Sequence, residues 1–207
     1  MRKSTHSDTR TALMQSAERL FAEKGIGTVS VKEITRAAGA RNLSAVHYHF
    51  GSVEALIKEV FIERFQRIER DRLVRLAKVD TSAGENRLFD LLHAAQAPFL
   101  ETCLDEDGRR YVRFCLQLAS DPRFDMAQII AEAEAVSILT LRGLVVDCLK
   151  HLPAEVLSTR LRQGFKISLM QAVEYADRVE DGSAAPIDEA IREASQTLAG
   201  YLSAPAP

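Results

Sequence analysis

Residues 28–56 constrain the fold of this chain more than any other part of its sequence. Ser30 followed three residues later by Glu33 is a capping box, which predicts that a helix begins there. Gly39 is expected to end that helix, because glycine tolerates the left-handed backbone of a tight turn. A short helix is predicted next, with Leu43, Val46 and Phe50 on its apolar side and polar side chains around the rest, and a long helix begins near Ser52. A helix, a tight turn and a short polar helix are the arrangement with which proteins read the major groove of DNA.

The rest of the sequence has helical periodicity and no convincing run of strands. A first helix is predicted over residues 9–24, and a long helix over 52–79 with its apolar positions on one face. Pro98 is predicted to kink or end the helix that contains it. Further helices are predicted over residues 85–104, 109–120, 124–151, 153–180 and 186–203. The chain is therefore predicted to be all-α, with a three-helix helix-turn-helix head joined by the long helix to a larger helical body.

The head and the body differ in charge. Residues 1–50 contain eight Lys and Arg against four Asp and Glu, whereas residues 51–207 contain 19 against 25. A basic excess on the small head favours a polyanionic partner there, and the acidic body is not expected to wrap DNA. The charge distribution thus agrees with the helix-turn-helix pattern.

Composition also limits location and chemistry. No apolar run approaches the roughly 20 residues that a membrane-spanning helix needs, and the polar N-terminus lacks the apolar stretch of a signal peptide. Cys103, Cys115 and Cys148 lack metal-ligand spacing and are expected to be buried apolar residues, with a redox-sensing thiol as the alternative. We therefore expect a cytoplasmic protein with no membrane partner, no metal site and no cofactor.

Residues 11–56 resemble the DNA-binding head of the tetracycline-repressor (TetR) family. The positions that carry the resemblance are Ala17, Leu20, Phe21, Gly25, Thr28, Ile34, Ala37, Ala38, Gly39, Tyr48, His49, Phe50, Ser52, Glu54 and Leu56. The resemblance implies a DNA-binding domain at residues 1–51 and a helical ligand-binding and dimerisation domain at 52–207. It also implies a transcriptional repressor that binds a near-palindromic site in double-stranded DNA as a homodimer and is released by a small-molecule effector.

Side chains around the short helix are candidates for contact with DNA. Arg41 can pair with guanine and Asn42 with adenine, if they reach the major groove. The groove candidates are Arg41, Asn42, Ser44, Ala45 and His47. The phosphate candidates are Thr28, Ser30, Lys32, Tyr48 and His49. Each has a structural alternative, since Ser30 is useful as a helix cap alone, and Tyr48 and His49 can pack against the long helix.

Two departures from the family pattern affect this surface. Ten residues separate Gly39 from Phe50 where the commoner pattern has nine, which leaves the register of the reading helix open. Val53 stands where many members have a lysine, so one phosphate contact is expected to be missing.

In the body, a proline kink is expected to open space between helices for a small, mostly apolar ligand. The candidate lining residues are Phe65, Phe99, Cys103, Tyr111 and Phe114, which can instead simply fill the core. Two amphipathic C-terminal helices correspond by analogy to the dimer interface of the family. Their apolar stripes include Leu157, Leu161, Phe165, Leu169, Val173, Ile187, Ile191, Leu198 and Tyr201.

Two other classes of protein are kept as alternatives. An architectural DNA-binding dimer would bind DNA with weak sequence preference and ignore small molecules. An all-α enzyme is the other, because Asp90 and His93 have the spacing of half a carboxylate–histidine metal motif. No second pair accompanies them, and the sequence has no phosphate-binding glycine loop or nucleophile elbow, so we predict no catalytic residue.

Overall fold

The structure, a computed structural model, describes residues 4–40, 42–80, 84 and 86–206. Within these residues the fold is all-α, as predicted, with ten α-helices, one 3₁₀ turn and no strand. The helices are α1 (Ser4–Lys24), α2 (Val31–Ala37), α3 (Ala45–Phe50), α4 (Val53–Leu76), α5 (Arg87–Glu101), α6 (Glu106–Ser120), α7 (Met126–Glu132), α8 (Val136–Cys148), α9 (Ala154–Asp181) and α10 (Ile187–Ser203).

The predicted starts of α2 and α4 are confirmed by their caps. The Glu33 backbone N–H donates to Ser30 Oγ over 3.2 Å, and the Ser30 N–H donates to Glu33 Oε2 over 2.9 Å. Ser52 Oγ accepts from the Ala55 N–H at 3.0 Å and so caps α4. The predicted apolar stripe of α4 is buried along its length: Leu56, Ile57, Val60, Phe61, Phe65 and Ile68.

The single helix predicted over residues 124–151 is wrong, because the chain breaks it into α7 and α8. Glu134 adopts a φ of 51°, which an uninterrupted helix excludes. The break frees the first turn of α8, where the backbone N–H and the hydroxyl of Ser137 both donate to the buried carboxylate of Glu69 on α4. Arg72 lies beside them and donates to Ser137 Oγ over 3.3 Å. This buried polar cluster joins α4 to the start of α8.

Pro98 does not end its helix. α5 continues through the buried proline to Glu101 and then tightens into the 3₁₀ turn Thr102–Leu104. Proline lacks the N–H that would donate to the preceding turn, but the carbonyls after it can still accept hydrogen bonds. A helix that is packed on several sides can therefore continue through a proline. This 3₁₀ turn packs against α6, and α5 and α9 also contact the turn.

One hydrophobic cluster runs through head and body without a break. Leu13 and Phe21 of α1 share it with Phe61 of α4 and with Phe114 and Leu118 of α6. In the body, α10 packs on α5 and α9, and α9 packs on α6. The head is therefore fixed on α4 and α6 rather than attached by one helix alone.

Candidate nucleic-acid interface

The helix-turn-helix region consists of α2, the connection 38–44 and α3. Gly39 in the connection has a φ of 65° and Gly51 after α3 has a φ of 80°, values that favour glycine. α3 is held to the head by Val46 and Phe50, which are buried in the shared core. The opposite side of this short helix is left on the surface.

The exposed side of this region carries large side chains. Tyr48 is 75% exposed and its ring meets His49 edge-on, with 5.2 Å between ring centroids. Leu43, in the turn before α3, is 58% exposed. Tyrosine and leucine at such exposure beside a polar helix are typical of a surface that a partner covers.

Two of the groove candidates make local hydrogen bonds that fix their orientation. Asn42 Oδ1 accepts from the Ser44 N–H at 2.9 Å, so the Nδ2 donors of the amide stay available. His47 Nδ1 lies 2.6 Å from the Gly51 carbonyl oxygen. Because a carbonyl can only accept, Nδ1 is the donor in this contact, and Nε2 is left for another partner. Asn42 therefore offers its Nδ2 donors, and His47 leaves Nε2 available to a partner.

The predicted phosphate contacts Thr28, Ser30 and Lys32 are all exposed at the start of α2. Thr28 Oγ1 donates to Lys24 O over 2.7 Å and so helps to end α1. Ser30 caps α2, and the Glu33 carboxylate accepts from it and from Lys24. These hydrogen bonds, the one to the Ser30 backbone first, lower the pKa of Glu33 to about 2. Lys24 and Glu33 thus offset one another, while Lys32 extends the basic charge of this edge.

The structure places two residues differently from the sequence expectation. Ala45 is buried against the head core, so its methyl group faces away from the groove side. Leu43 was expected on the apolar side of the short helix with Val46 and Phe50, but it is exposed. The reason is that α3 begins only at Ala45, so the spacing of a helix does not apply to Leu43. Arg41 lies outside the described residues.

Two exposed residues of this surface were missed by the sequence reasoning. Arg36 lies exposed in the last turn of α2, and Leu43 lies in the connection. Arg36 was detectable as a cation on the polar side of α2. Leu43 was not, because the start of α3 decides its exposure.

The five predicted ligand-lining residues do not form one group in this conformation. Phe65, Tyr111 and Phe114 belong to the shared head–body cluster, where Tyr111 Oη donates to the Phe61 carbonyl over 3.0 Å. Cys103 lies in a second cluster with Ala172 and Tyr175, and half-buried Phe99 packs against both clusters. A ligand site lined by these residues stays a prediction.

The predicted dimer residues divide by exposure. Leu157, Leu169, Ile191 and Leu198 are buried within their own chain. The half-buried members are Leu161, Phe165, Val173, Ile187 and Tyr201. An apolar stripe on α9 and α10 is thus covered in part by α5 and α6, and only the remainder is available to a second copy.

The described residues contain no cluster of three or more His, Cys, Asp or Glu side chains that could hold a metal ion.

Burial raises the pKa of the Cys103 thiol to about 12 and raises the pKa of the Cys115 thiol as well. A surface pocket of 380 Å³ between the end of α4 and α5 is lined mostly by polar side chains, among them Arg75, Asp90 and His93, together with Val79 and Ala94. None of the described helices is long and apolar enough to cross a membrane.

Taken together, the packed α3, its exposed polar side and the tight turn before it define a helix-turn-helix DNA-binding head on a helical body. Comparison with known proteins finds a family match for this head. Residues 13–60 match the family described as "Bacterial regulatory proteins, tetR family". The head therefore matches a TetR-family model over these residues, and the whole chain has the fold seen in solved TetR-family transcription regulators.

Solved structures support the fold over nearly the full length. A TetR-family transcription regulator from Marinobacter aquaeolei VT8 is 18% identical with a TM-score of 0.66, covering 97% of this chain and 98% of the other. The fatty acid degradation regulator FadR from Bacillus halodurans is 15% identical with a TM-score of 0.61, covering 92% and 97%. NalD of Pseudomonas aeruginosa, the secondary repressor of the MexAB-OprM multidrug efflux pump, is 22% identical with a TM-score of 0.51, covering 95% and 96%. No curated protein matches the chain.

Proposed function

We propose that this protein is a transcriptional repressor that binds a near-palindromic operator as a homodimer and is released by a small, mostly apolar effector. The observation that carries the DNA-binding part is the exposure of Tyr48, His47 and Leu43 around a short helix whose other side is buried. The proposed units are the DNA-binding domain at residues 1–51 and the ligand-binding and dimerisation domain at 52–207. Such a regulator acts where the DNA is, which for a bacterial protein is the cytoplasm.

The proposed DNA contacts are divided by chemistry. Asn42, Ser44 and His47 face base edges, and Arg41 joins them if its side chain reaches the groove. Thr28, Ser30, Lys32, Tyr48 and His49 hold the phosphates and set the register of the helix. Ala45 contributes by its small size, which lets the backbone of α3 approach, rather than by its methyl group.

The proposed dimer uses the half-buried apolar side chains of α9 and α10. A two-fold axis through these helices would present two copies of α3 to one side of a duplex. Half-sites about 34–36 Å apart, or somewhat more, follow from one turn of B-DNA. This geometry is the reason for expecting a near-palindromic operator.

Release by an effector requires that the body affects the head, and the contacts between them offer a route. Gln117 of α6 accepts from the Ile26 N–H at 3.1 Å and donates to Ala22 O over 3.4 Å, both at the turn between α1 and α2. Lys58 of α4, the helix that follows the head directly, pairs with Glu132 of α7 at 3.0 Å. A ligand that moves α6 or α7 would therefore alter the position of the head and lower its affinity for DNA by its preference for the moved state.

The proposal of repression and effector release also rests on similarity to other proteins. NalD is a repressor and FadR regulates fatty acid degradation. An architectural dimer without an effector remains the alternative. It differs from the proposal in two measurable respects, because it would show weak sequence preference and no thermal stabilisation by small molecules.

Selection of binding sites from a random double-stranded DNA library tests the proposal. The proteins to compare are the wild type, the double variant His47→Ala, Tyr48→Ala, and His151→Ala, which removes an exposed histidine of the body as a control. We expect the wild type and the control to enrich one near-palindrome and the double variant to enrich none. Equal enrichment by all three, with the double variant folded by circular dichroism, would contradict the proposed site.

A further inference from the structure

Gln96 is a buried side chain whose hydrogen-bonding groups are unused. It lies in the middle of α5 and is 6% exposed, yet neither Nε2 nor Oε1 has a hydrogen-bond partner. A buried amide without partners destabilises a fold, and an apolar side chain of similar size would remove that cost. A group of this kind in a well-packed helix bundle calls for a physical reason.

The position of Gln96 in the fold follows from its neighbours one turn away on α5. Leu92 belongs to a cluster with Leu198 of α10, and Leu100 belongs to a cluster with Ala194 of α10. Gln96 lies between these two clusters and on the same side of α5. Helix geometry therefore directs the Gln96 side chain towards the α10 turn from Ala194 to Leu198.

A second amide reaches the same turn from α9. Gln171 Nε2 donates to the Ala194 carbonyl over 3.4 Å, while its Oε1 is buried without a partner. Ser195 on α10 is fully buried, and its hydroxyl donates to Ile191 O. The region where α5, α9 and α10 meet thus contains several polar groups between two apolar clusters.

We propose that Gln96 is the polar anchor of the effector site, and that it binds a neutral hydrogen-bonding group on an otherwise apolar ligand. This inference rests on the proposed function, because it names the chemical class of the effector. A carboxamide offers a donor and an acceptor side by side, so its complement is a group with both, such as an amide or a hydroxyl. Gln171 Oε1 is the second acceptor available to the donor of that group.

The apolar surroundings exclude a charged head group. The clusters on either side of Gln96 consist of Leu, Ile, Ala, Val, Tyr and Cys side chains. A carboxylate placed among them would lose its hydration without gaining a cation, which is costly. The ligand class is therefore a neutral amide or alcohol with an apolar chain, rather than a free fatty acid anion.

The test uses octanamide, 1-octanol and sodium octanoate as probes, with affinity measured by calorimetry and stability by thermal unfolding. The variants are Gln96→Leu, Gln96→Met, which keeps an unbranched side chain should leucine not fit, and Gln196→Leu. Gln196 is exposed on α10 next to Ser195, so it is a matched glutamine control.

Without a probe, we expect the better-packed Gln96 variant to unfold at a higher temperature than the wild type. Wild type and control should bind octanamide and 1-octanol more tightly than octanoate. The Gln96 variants should bind octanamide about fivefold to tenfold more weakly, the effect of one lost hydrogen bond.

Four results would overturn the inference. They are a lower unfolding temperature of both Gln96 variants, equal affinity of wild type and variants for octanamide, no binding of octanamide, or a preference for octanoate. Titration of each protein with the selected duplex separates this inference from the proposed function. If wild type and variants bind that duplex but the probes fail, the subsite is wrong and the regulator stands, whereas no duplex binding by any of them contradicts the regulator itself.

Discussion

Leu43 shows how one side chain can affect recognition of DNA. It is an apolar residue in the turn before α3, 58% exposed on the surface that carries Tyr48 and His47. Polar groups near it can pair with many base edges, but a leucine side chain has one favourable partner in the major groove, the C5-methyl group of thymine. Leu43 is therefore the residue by which we expect this head to select thymine at one position of each half-site.

Replacing Leu43 by asparagine tests that role. We expect Leu43→Asn to weaken binding to the selected duplex by about 1 kcal/mol, because apolar contact area is lost, and to relax the preference for thymine. Fluorescence anisotropy with duplexes carrying thymine or uracil at each position measures both effects. Leu104→Asn is the matched control, since Leu104 is 56% exposed in the body and should leave binding unchanged. A uniform loss of affinity across duplexes would argue that Leu43 supports the fold of the turn instead.

Gly108 is a second single residue on which the stability of the fold depends. A Cβ atom on Gly108 would lie 1.7 Å from the Thr102 carbonyl oxygen, so α6 can start against the 3₁₀ turn only with glycine there. We expect Gly108→Ala to lower the free energy of unfolding by about 3 kcal/mol, because backbone has to move. Gly143→Ala on α8 is the opposite control, since nothing lies near its added methyl and it should stabilise by about 0.5–1 kcal/mol. Chemical denaturation of both variants measures this difference, and equal effects would contradict the packing described.

At the scale of elements, the cap of α2 predicts a pH dependence of the head. The pKa of Glu33 is about 2 in the fold against an ordinary value of 4.5, so its carboxylate stabilises the folded state above pH 4.5. That stabilisation is lost as the pH falls from 4.5 towards 2. We expect Glu33→Gln to lower the unfolding temperature at pH 7 and the difference from wild type to shrink below pH 4.5. Glu63→Gln, at an exposed position of α4, should show no such convergence.

The elements also show which features a sequence can specify. The starts of α2 and α4 were predictable because a cap is a local arrangement of a few residues, as Ser30 and Ser52 demonstrate. The break between α7 and α8 was not, because no glycine or proline marks Ala133 to Ala135. The start of α8 after this break is held by the buried carboxylate of Glu69, which is more than 60 residues away in sequence. A long-range hydrogen bond of this kind leaves no local pattern.

For the molecule as a whole, Gln117 connects body and head and gives a prediction about coupling. Its two hydrogen bonds hold the α1–α2 turn against α6. In wild type, binding of the selected duplex should slow hydrogen exchange in α2 and α3 and also in α6. Gln117→Leu should keep the protection of the head and lose that of α6, because the connecting hydrogen bonds are gone. Gln196→Leu, at an exposed position of α10, is the control. Unchanged protection of α6 in Gln117→Leu would show that the coupling runs elsewhere.

At the scale of the whole molecule, the sequence predicts less than it does for single elements. The all-α class and the head could be predicted, since periodicity and the helix-turn-helix pattern are encoded locally. The partners of the apolar stripes could not, because Leu169 and Ile191 are covered by their own chain while Phe165 and Tyr201 stay half-buried. A stripe indicates that a surface is covered but not whether the cover is the same chain or a second copy. The orphaned amide of Gln96 likewise becomes visible only when α5, α9 and α10 are packed together.

The most direct measurement is the affinity of the wild-type protein for the selected near-palindrome and for a scrambled duplex of the same composition, at one moderate salt concentration. The account predicts binding to the near-palindrome at least about a thousandfold tighter than to the scrambled duplex, with that ratio lowered about tenfold in His47→Ala, which loses a contact to a base edge. Equal affinity for the two duplexes, or a ratio that His47→Ala leaves unchanged, would contradict the claim that α3 and its exposed side chains read DNA.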